Sequence, residues 1–420
     1  MIDKKVEKQM YYIIQYNRYI IRIFMDNHDE TPDEFIKKTC MKINVENIVC
    51  DNDEIDIIRI DYTILLFTLD EFIVQLHKKF GNSTYIDNDI AIITFELLMK
   101  IITTGDIEIT NETNEFETMF RCAINSGVRQ EPLCEISHDT NIVFCGDIHG
   151  SLRSLICHFL IMEGFKNEQK YVFLGDYLDR GTRSLEVFSV LILMRALFPT
   201  NIYLLCGNHE TRAVYLLYGT VAELQQKNMN MTMIDINNCC DMIDELVNSM
   251  SHAIIVGGKI FGTHGCPSEK TPMDKIRNEK MKLSDPSSPT YNLVWSDPSD
   301  EELYSDIEYL NLTSTPNTRG AGMLVPYEIT KKFITDNSLE LIIRAHQCVA
   351  KGYMVNHGHF VITVFGQPNY CGTRNDAGMI NISPNGEKTI KVFNHESDVY
   401  KSLPPSYDKI ANNNYPKFFL

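Results

Sequence analysis

The chain has 420 residues, a length that at about 150 residues per domain allows two to three domains. Apolar residues make up 44% and charged residues 23%, which excludes wholesale disorder. The formal net charge of −17 argues against a protein built to wrap nucleic acid, because an acidic surface repels phosphate backbones, yet it leaves room for a locally positive pocket that binds a phosphate.

The first segment, to about Phe67, opens with MYYIIQYNRYIIRIFM. Met10, Ile13, Ile14, Ile20, Ile21 and Phe24 recur there at roughly helical intervals with Arg18 and Arg22 opposite, and the spacing predicts a helix. Between Asp26 and Asp56 stand ten Asp/Glu against three Lys, which reads as a solvated acidic loop. The start Met1-Ile-Asp-Lys-Lys is a poor signal peptide, and apolar runs such as Tyr62–Leu69 and Ile90–Phe95 stop well short of the roughly 20 residues that cross a bilayer. The 12 cysteines are scattered, with no C-x-x-C, so they are expected to be mostly reduced and buried. The expectation is an intracellular protein of cytoplasm or nucleus, with no transmembrane segment and no nucleic-acid partner.

From about Thr68, LDEFIVQLHKKF has helical spacing and a natural stop at Gly81, and Ala91–Ile102 predicts a second helix. Between Asn141 and Phe393 short β-branched or aromatic runs end abruptly in Gly, Asp, His or Asn: NIVFCGD, YVFLGD, NIYLLCGN, HAIIVGGKIFGTH, LELIIRAH and HFVITVFGQPN. Helical segments such as Ser151–Met162 and Ser184–Leu197 lie between several of them. This is the texture of an α/β (α+β) domain with its site at strand ends. From about Glu396 a Pro pair, an Asn triplet and several tyrosines read as an irregular tail.

Five strand ends carry the chemistry. GDIHG places Asp147 and His149 two residues apart, so both can point to one face. GDYLDRG supplies Asp176, Asp179 and Arg180; GNHE supplies Asn208 and His209; THG supplies His264; RAHQ supplies His346. Singly, such an Asp is a turn or cap and such a His a core residue. Together, carboxylate, imidazole and carboxamide without thiolate suit manganese, iron or zinc. Cys145, Cys206 and Cys266 lie near these motifs but lack the paired spacing of a structural zinc site.

In this order, GDIHG, GDYLDRG, LLCGNHE, THG, RAHQ and PNYCG closely resemble the metallophosphoesterase signatures of the phosphoprotein phosphatase (PPP) family of serine/threonine phosphatases. WSDP at Trp295–Pro298, Arg319-Gly320 and PNYCG before NDAG are similar to its type 1 catalytic subunits, as are LDEFIVQL and MFRCAINSGVRQEP in a helical lead-in. The resemblance implies a β-sandwich flanked by helices over residues 68–395, with an insertion near 82–107, an N-terminal extension over 1–67 and a tail over 396–420. It implies two divalent metal ions, manganese first, with iron and zinc as the other candidates. Asp147, His149 and Asp176 would hold the first; Asp176, Asn208, His264 and His346 the second, with Asp176 as the bridge. It gives His209 the role of general acid oriented by Asp179, Arg180 and Arg319 that of phosphate-binding arginines, and Tyr218 and Tyr370 places in the substrate groove. The implied reaction is hydrolysis of phosphoserine and phosphothreonine by a metal-bound hydroxide. Two divalent ions against two carboxylates leave a positive site for a phosphate dianion, which two guanidiniums can fork. Phosphoprotein substrates are implied, and regulatory subunits fit the same resemblance.

Departures from the family pattern sit around the site. Cys206 stands where an Arg commonly precedes GNHE, Cys266 follows His264-Gly265, GAGMLVP follows Arg319, and Thr373 stands where an acidic residue often follows PNYCG. None removes a ligand. The other readings weighed are a small-molecule metallophosphoesterase, such as a dinucleoside polyphosphate hydrolase, and a pseudophosphatase that binds partners without turnover. The complete inventory disfavours the last.

Overall fold

The structure is a computed structural model that describes residues 10–16, 19–25, 42–50, 53–61, 67–81, 88–110, 114–278, 280, 282–299 and 313–408, the first four stretches as backbone. In chain order the strands are β1 (Met10–Tyr16), β2 (Tyr19–Met25), β3 (Lys42–Cys50), β4 (Asp53–Asp61), β5 (Leu133–Ile136), β6 (Ile142–Cys145), β7 (Lys170–Phe173), β8 (Ile202–Leu204), β9 (Ala253–Val256) and β10 (Ile260–Thr263). There follow β11 (Asp297–Pro298), β12 (Thr315–Pro316), β13 (Met323–Val325), β14 (Leu341–Arg344), β15 (Tyr353–Asn356), β16 (Val361–Val364), β17 (Ala377–Ile382) and β18 (Lys388–Phe393).

Two sheets face each other. One runs β3-β4-β18-β17-β6-β7-β8, the other β15-β16-β14-β10-β9-β5. The alternation along each strand explains the stacking. In β6, Ile142 and Phe144 enter the core between the sheets with Val172, Ile254, Ile343 and Val364. Val143 and Cys145 face the other way, into a core shared with helices Leu69–Gly81, Asn88–Thr104, Leu152–Ile161 and Ser184–Leu197. A strand with apolar partners on both faces reads as a continuous apolar run, as IVFC does. The outer face of the second sheet is covered by Ile276, Leu293, Phe333 and Ile334 from helices Met273–Asn278, Pro289–Trp295 and Tyr327–Asp336. At about 1.5–3 kcal/mol for each fully buried large apolar side chain, these layers dominate the stability.

Helix starts follow local chemistry. The Thr68 hydroxyl accepts from the Glu71 N–H at 3.2 Å while the Glu71 carboxylate takes the Thr68 N–H at 2.7 Å, a reciprocal cap for Leu69–Gly81. Asn114 caps Glu115–Asn125 through the Glu117 N–H. The helices expected at Leu69–Gly81, Ala91–Ile102, Ser151–Met162 and Ser184–Leu197 are all present, and no helix among the described residues is long and apolar enough to cross a membrane.

Both ends of the chain differ from expectation. Met10–Phe24 is not a helix: β1 and β2 form an antiparallel hairpin pairing Met10 with Met25 and Tyr16 with Tyr19. Tyr and Ile dominate this segment, and over so short a window their β preference outweighs the helical spacing. Half of the acidic segment is also strand. Ile43, Val45 and Ile55, Ile57 alternate in β3 and β4, which pair with each other, and β4 joins β18 in parallel. Residues 26–41 of that segment lie outside the described ones. After Glu396 the chain is regular as far as Asp408: helix Asp398–Ser402 and a turn at Pro405–Tyr407 bury Val399, Leu403 and Tyr407. The buried Arg153 guanidinium donates to the carbonyls of Tyr400, Leu403 and Pro404 at 2.7–2.9 Å and to Asp408 at 2.6 Å, fixing the segment. The Asn triplet falls outside the described residues.

Candidate active site

The topology brings the motif-bearing strand ends to one edge. β6, β7 and β8 run parallel in one sheet, and β10, β14 and β16 run parallel in the other. Their C-terminal ends deliver Asp147/His149, Asp176, Asn208/His209, His264 and His346 to the same rim. The loops are tight. His149, Asp176, Asp179, Arg180 and His346 all have left-handed backbones, with φ of 43, 56, 68, 68 and 70°. A Cβ on Gly175 would stand 2.3 Å from the Gly207 nitrogen, so only glycine lets these two loops cross.

The loops are tied by hydrogen bonds in place of side-chain bulk. The Asp176 carbonyl accepts from the N–H groups of Ile148 and His149 at 3.0 and 2.9 Å. The buried Glu210 carboxylate accepts from the N–H groups of Asp176, Tyr177 and Gly207 at 2.7–2.8 Å. Asp147 Oδ1 takes the His346 N–H at 2.9 Å, and Asp176 Oδ1 takes that of His209 at 2.9 Å.

Two donor groups share Asp176. The ligand atoms of His149, Asp176 and His209 lie within 4.8 Å of one another, and so do those of Asp176, His264 and His346. His149 Nε2 is 3.6 Å from Asp147 Oδ2 and 3.5 Å from Asp176 Oδ2. His264 Nε2 is 3.4 Å from Asp176 Oδ1 and 2.9 Å from Asn208 Oδ1. The far nitrogens are engaged: His149 Nδ1 donates to the Leu178 carbonyl at 3.0 Å and His264 Nδ1 to the Leu174 carbonyl at 2.9 Å, which leaves each Nε2 as the nitrogen facing the carboxylates. Asp147 Oδ2 and His346 Nε2 are buried without a hydrogen-bond partner. Buried polar atoms seldom stay unmatched, and oxygen and imidazole donors converging in this way fit a pair of divalent cations.

The electrostatics agree. Burial opposes protonation of His149, but Asp147 and Asp176 outweigh it and hold its pKa up to about 9. Burial would also raise Asp176, and the surrounding imidazoles His264, His209 and His149 hold it well below the usual carboxylate range. Burial keeps His346 far below the ordinary imidazole range, with Arg319 and His264 adding to the effect against Asp297. The pocket therefore favours positive charge and offers a neutral ligand nitrogen at His346.

Beside the donor groups, His209 Nδ1 lies 2.7 Å from Asp179 Oδ2, and Asp179 Oδ1 is itself held by the N–H and hydroxyl of Thr220 at 3.1 and 2.7 Å. A cleft of about 440 Å³ opens above, lined by His149, Asp176, Asn208, His209 and His346, with Arg180, Arg319, Tyr218, Tyr370 and Trp295 on its walls. The Arg180 guanidinium lies 4.4 Å from the Tyr218 ring centroid. The Tyr370 ring stacks on His149 at 5.0 Å. Every site residue expected from the sequence is thus in this cleft or directly behind it.

The sequence reading missed residues that hold these groups. Asp297 of WSDP accepts from Arg319 Nε at 2.7 Å, from Arg344 Nη2 at 2.9 Å and from Asn317 at 2.8 Å. Burial opposes its charge, and His346, Arg344 and Arg319 outweigh burial and hold its carboxyl far below the usual range. Asp297 thereby aims the remaining guanidinium edge of Arg319 toward the cleft. Glu210 and Arg344 sat inside quoted motifs, so a polar residue in a strand-end motif was the available signal. Thr220 had none.

A family profile described as Calcineurin-like phosphoesterase matches residues 140–350. The chain is 36% identical over 261 residues to the serine/threonine-protein phosphatase 4 catalytic subunit of Saccharomyces cerevisiae, covering 61% of this chain and 78% of that protein. It is 33% identical over 303 residues to serine/threonine-protein phosphatase PP1-1 of the same yeast, covering 68% and 91%. It is 35% identical over 274 residues to ppe1 of Schizosaccharomyces pombe, covering 64% and 83%. Among solved structures, a Saccharomyces cerevisiae protein serine/threonine phosphatase with similarity to human PP5 superposes with a TM-score of 0.58 at 23% identity, over 67% of this chain and 89% of that one, a likeness of fold. Type 4 and type 1 relatives match at similar identity, so the assignment rests at the level of the family. With the two-sheet fold and the strand-end site already in place, these matches identify the chain as a calcineurin-like metallophosphoesterase belonging to the phosphoprotein phosphatase family of serine/threonine-protein phosphatases.

Proposed function

We propose that the chain hydrolyses phosphoserine and phosphothreonine in proteins at the strand-end site, with manganese as the first-choice metal. The observation that carries this is Asp176, shared by two converging donor groups with the buried, unpartnered Asp147 Oδ2 and His346 Nε2 beside it. Asp147, His149 and Asp176 would hold one cation; Asn208, His264 and His346, with Asp176, would hold the other. A divalent pair, when bound, supplies an activated water for in-line attack on phosphorus and positive charge for the phosphoryl oxygens. Arg180 and Arg319 grip the phosphate, Arg319 through the edge that Asp297 leaves open. His209 gives a proton from Nε2 to the departing seryl or threonyl oxygen, since its Nδ1 is committed to Asp179. Tyr218 and Tyr370 shape the groove for the flanking peptide.

Regulatory subunits and an intracellular site of action, in cytoplasm or nucleus, belong to the same proposal; the ten described cysteines, all free thiols, support the second. The test is metal analysis of the purified protein alongside turnover of a phosphoserine peptide and a dinucleoside polyphosphate. Two equivalents of divalent metal with preference for the peptide are expected. Preference for the dinucleotide would move the substrate to small molecules, and metal binding with no turnover of either would make the chain a binding protein.

A further inference from the structure

Of the ten described cysteines, eight are buried or half-buried; of the two exposed ones, Cys348 lines the catalytic cleft and Cys371 follows Tyr370, which lines it too. Cys348 follows His346 and Gln347 on one wall. Cys371 follows Tyr370, whose ring packs on His149, on another. The two segments touch: Cys348 Sγ is 3.8 Å from the hydroxyl of Thr373, two residues beyond Cys371. The chain folds back on itself there, with Gly372 N–H on the Asn369 carbonyl at 3.1 Å and Thr373 N–H on the Tyr370 carbonyl at 2.9 Å.

We propose that Cys348 and Cys371 form a reversible disulfide across the rim of the cleft, so that a two-electron oxidant such as hydrogen peroxide switches off turnover of protein substrates. One thiolate attacks a peroxide oxygen, giving a sulfenic acid and releasing hydroxide. The other thiolate then attacks that sulfur, displaces a second hydroxide and closes the S–S bond. Two thiols lose two protons and two electrons in all, and the peroxide ends as two waters.

The walls differ in stiffness, which sets the consequence. Gln347, beside Cys348, accepts from the fully buried Arg344 at 2.8 Å, and Arg344 is anchored on Asp297. Cys371 sits in a left-handed turn with a φ of 48°, followed by Gly372. A disulfide requires the two Cα atoms to come within about 4.4–6.8 Å, and the turn is the side that adjusts. It carries Tyr370 with it, narrowing the groove for a peptide while His346 keeps its place.

The effect on turnover rests on the phosphoprotein phosphatase reading; the bond itself does not, because mass alone detects it. The experiment treats the full-length, metal-loaded protein with hydrogen peroxide and then with excess dithiothreitol. It follows metal content, kcat/KM on a phosphoprotein and on an aryl phosphate, and the masses of an unreduced digest. A linked Cys348–Cys371 peptide is expected to appear in step with a loss of at least about tenfold on the phosphoprotein and a smaller loss on the aryl phosphate. Dithiothreitol reverses both changes, and metal content stays constant. Cys348→Val and Cys371→Ser, each measured against its own untreated sample, should both be resistant. Absence of the linked peptide, or an undiminished loss in Cys348→Val, overturns the proposal. A linked peptide in a protein that never turns over phosphoprotein keeps the disulfide and removes the phosphatase reading instead.

Discussion

Replacing His209 by Asn isolates the proton-donating step from the scaffold. The backbone N–H of residue 209, which donates to Asp176 Oδ1 at 2.9 Å, is main chain and survives the change, so Asp176 keeps that contact. What is lost is the imidazole held through Nδ1 by Asp179 at 2.7 Å. A general acid contributes about 10²–10⁴-fold, or about 2.7–5.4 kcal/mol of barrier at 1.36 kcal/mol per decade, and kcat on a phosphoserine peptide should fall by that factor. An aryl phosphate has a leaving group that barely needs a proton, so its kcat should fall far less. Asp179→Asn sharpens the test. Asp179 Oδ1 can still accept from Thr220, so the loop stays tied, while the charge-assisted bond to the imidazole, worth about 1.5–3 kcal/mol, is weakened. A loss of about 10–100-fold is expected there, and the double variant should be no worse than His209→Asn alone, because the two act as a unit. The assay is kcat on both substrates with metal content measured in parallel. Equal losses on the two substrates, or loss of metal from His209→Asn, would show that His209 supports the cations and is not the acid.

Chelation should abolish activity, and Asp176→Asn should lower the occupancy of both metals together, because both donor groups use this carboxylate; full activity in a demonstrably metal-free sample refutes that. Arg319→Lys should lose about tenfold or more in kcat/KM while the melting temperature holds, since an ammonium cannot both bind Asp297 and present a planar fork, and wild-type kinetics would reduce Arg319 to a salt-bridge partner of Asp297. His158 is fully buried and burial pulls its pKa down from 6.5 to about 4, so the unfolded chain takes up a proton that the fold refuses. Stability should therefore fall as pH drops from about 6.5 to about 4, by roughly 3 kcal/mol in total, and His158→Gln should flatten that part of a melting-temperature profile; an unchanged slope contradicts it.

Legibility differed sharply between the strand ends and the chain ends. At the strand ends, sequence and structure agree because the constraints coincide. IVFC must be apolar on both faces to sit between two cores, so the first polar residue after it marks the rim where a site can form. The helices from Leu69 to Leu197 were legible from local apolar runs, and Leu69–Gly81 and Leu152–Ile161 also from local caps at Thr68 and Ser151. The hairpin at Met10–Met25 was not, since Met10, Ile13, Ile14, Ile20, Ile21 and Phe24 happen to fall on one face of a helix, and the preference of Tyr and Ile for strands was the better guide. The segment Asp398–Asp408 looked irregular because its order comes from Arg153, about 250 residues earlier, whose donors satisfy three carbonyls that no local pattern reveals.

The same distinction explains why the positioning residues were harder to see than the ligands. Ligands announce themselves by type, but the residues that hold them do so by cancelling strain. Five of the site residues, His149, Asp176, Asp179, Arg180 and His346, adopt left-handed backbones, a conformation that costs an L-residue roughly 1–2 kcal/mol each. That cost persists only where neighbouring contacts over-determine the geometry. Glu210 supplies three of those contacts, to the N–H groups of Asp176, Tyr177 and Gly207, and Thr220 fastens Asp179. Glu210 touches no donor side chain in that role, yet it joins the loop carrying Asp176 to the loop carrying Asn208 and His209. The spacing between those two loops is thus fixed by a carboxylate that binds only backbone. Three of the strained residues, Asp176, Asp179 and Arg180, lie in the one loop that Glu210 and Thr220 fasten by hydrogen bonds.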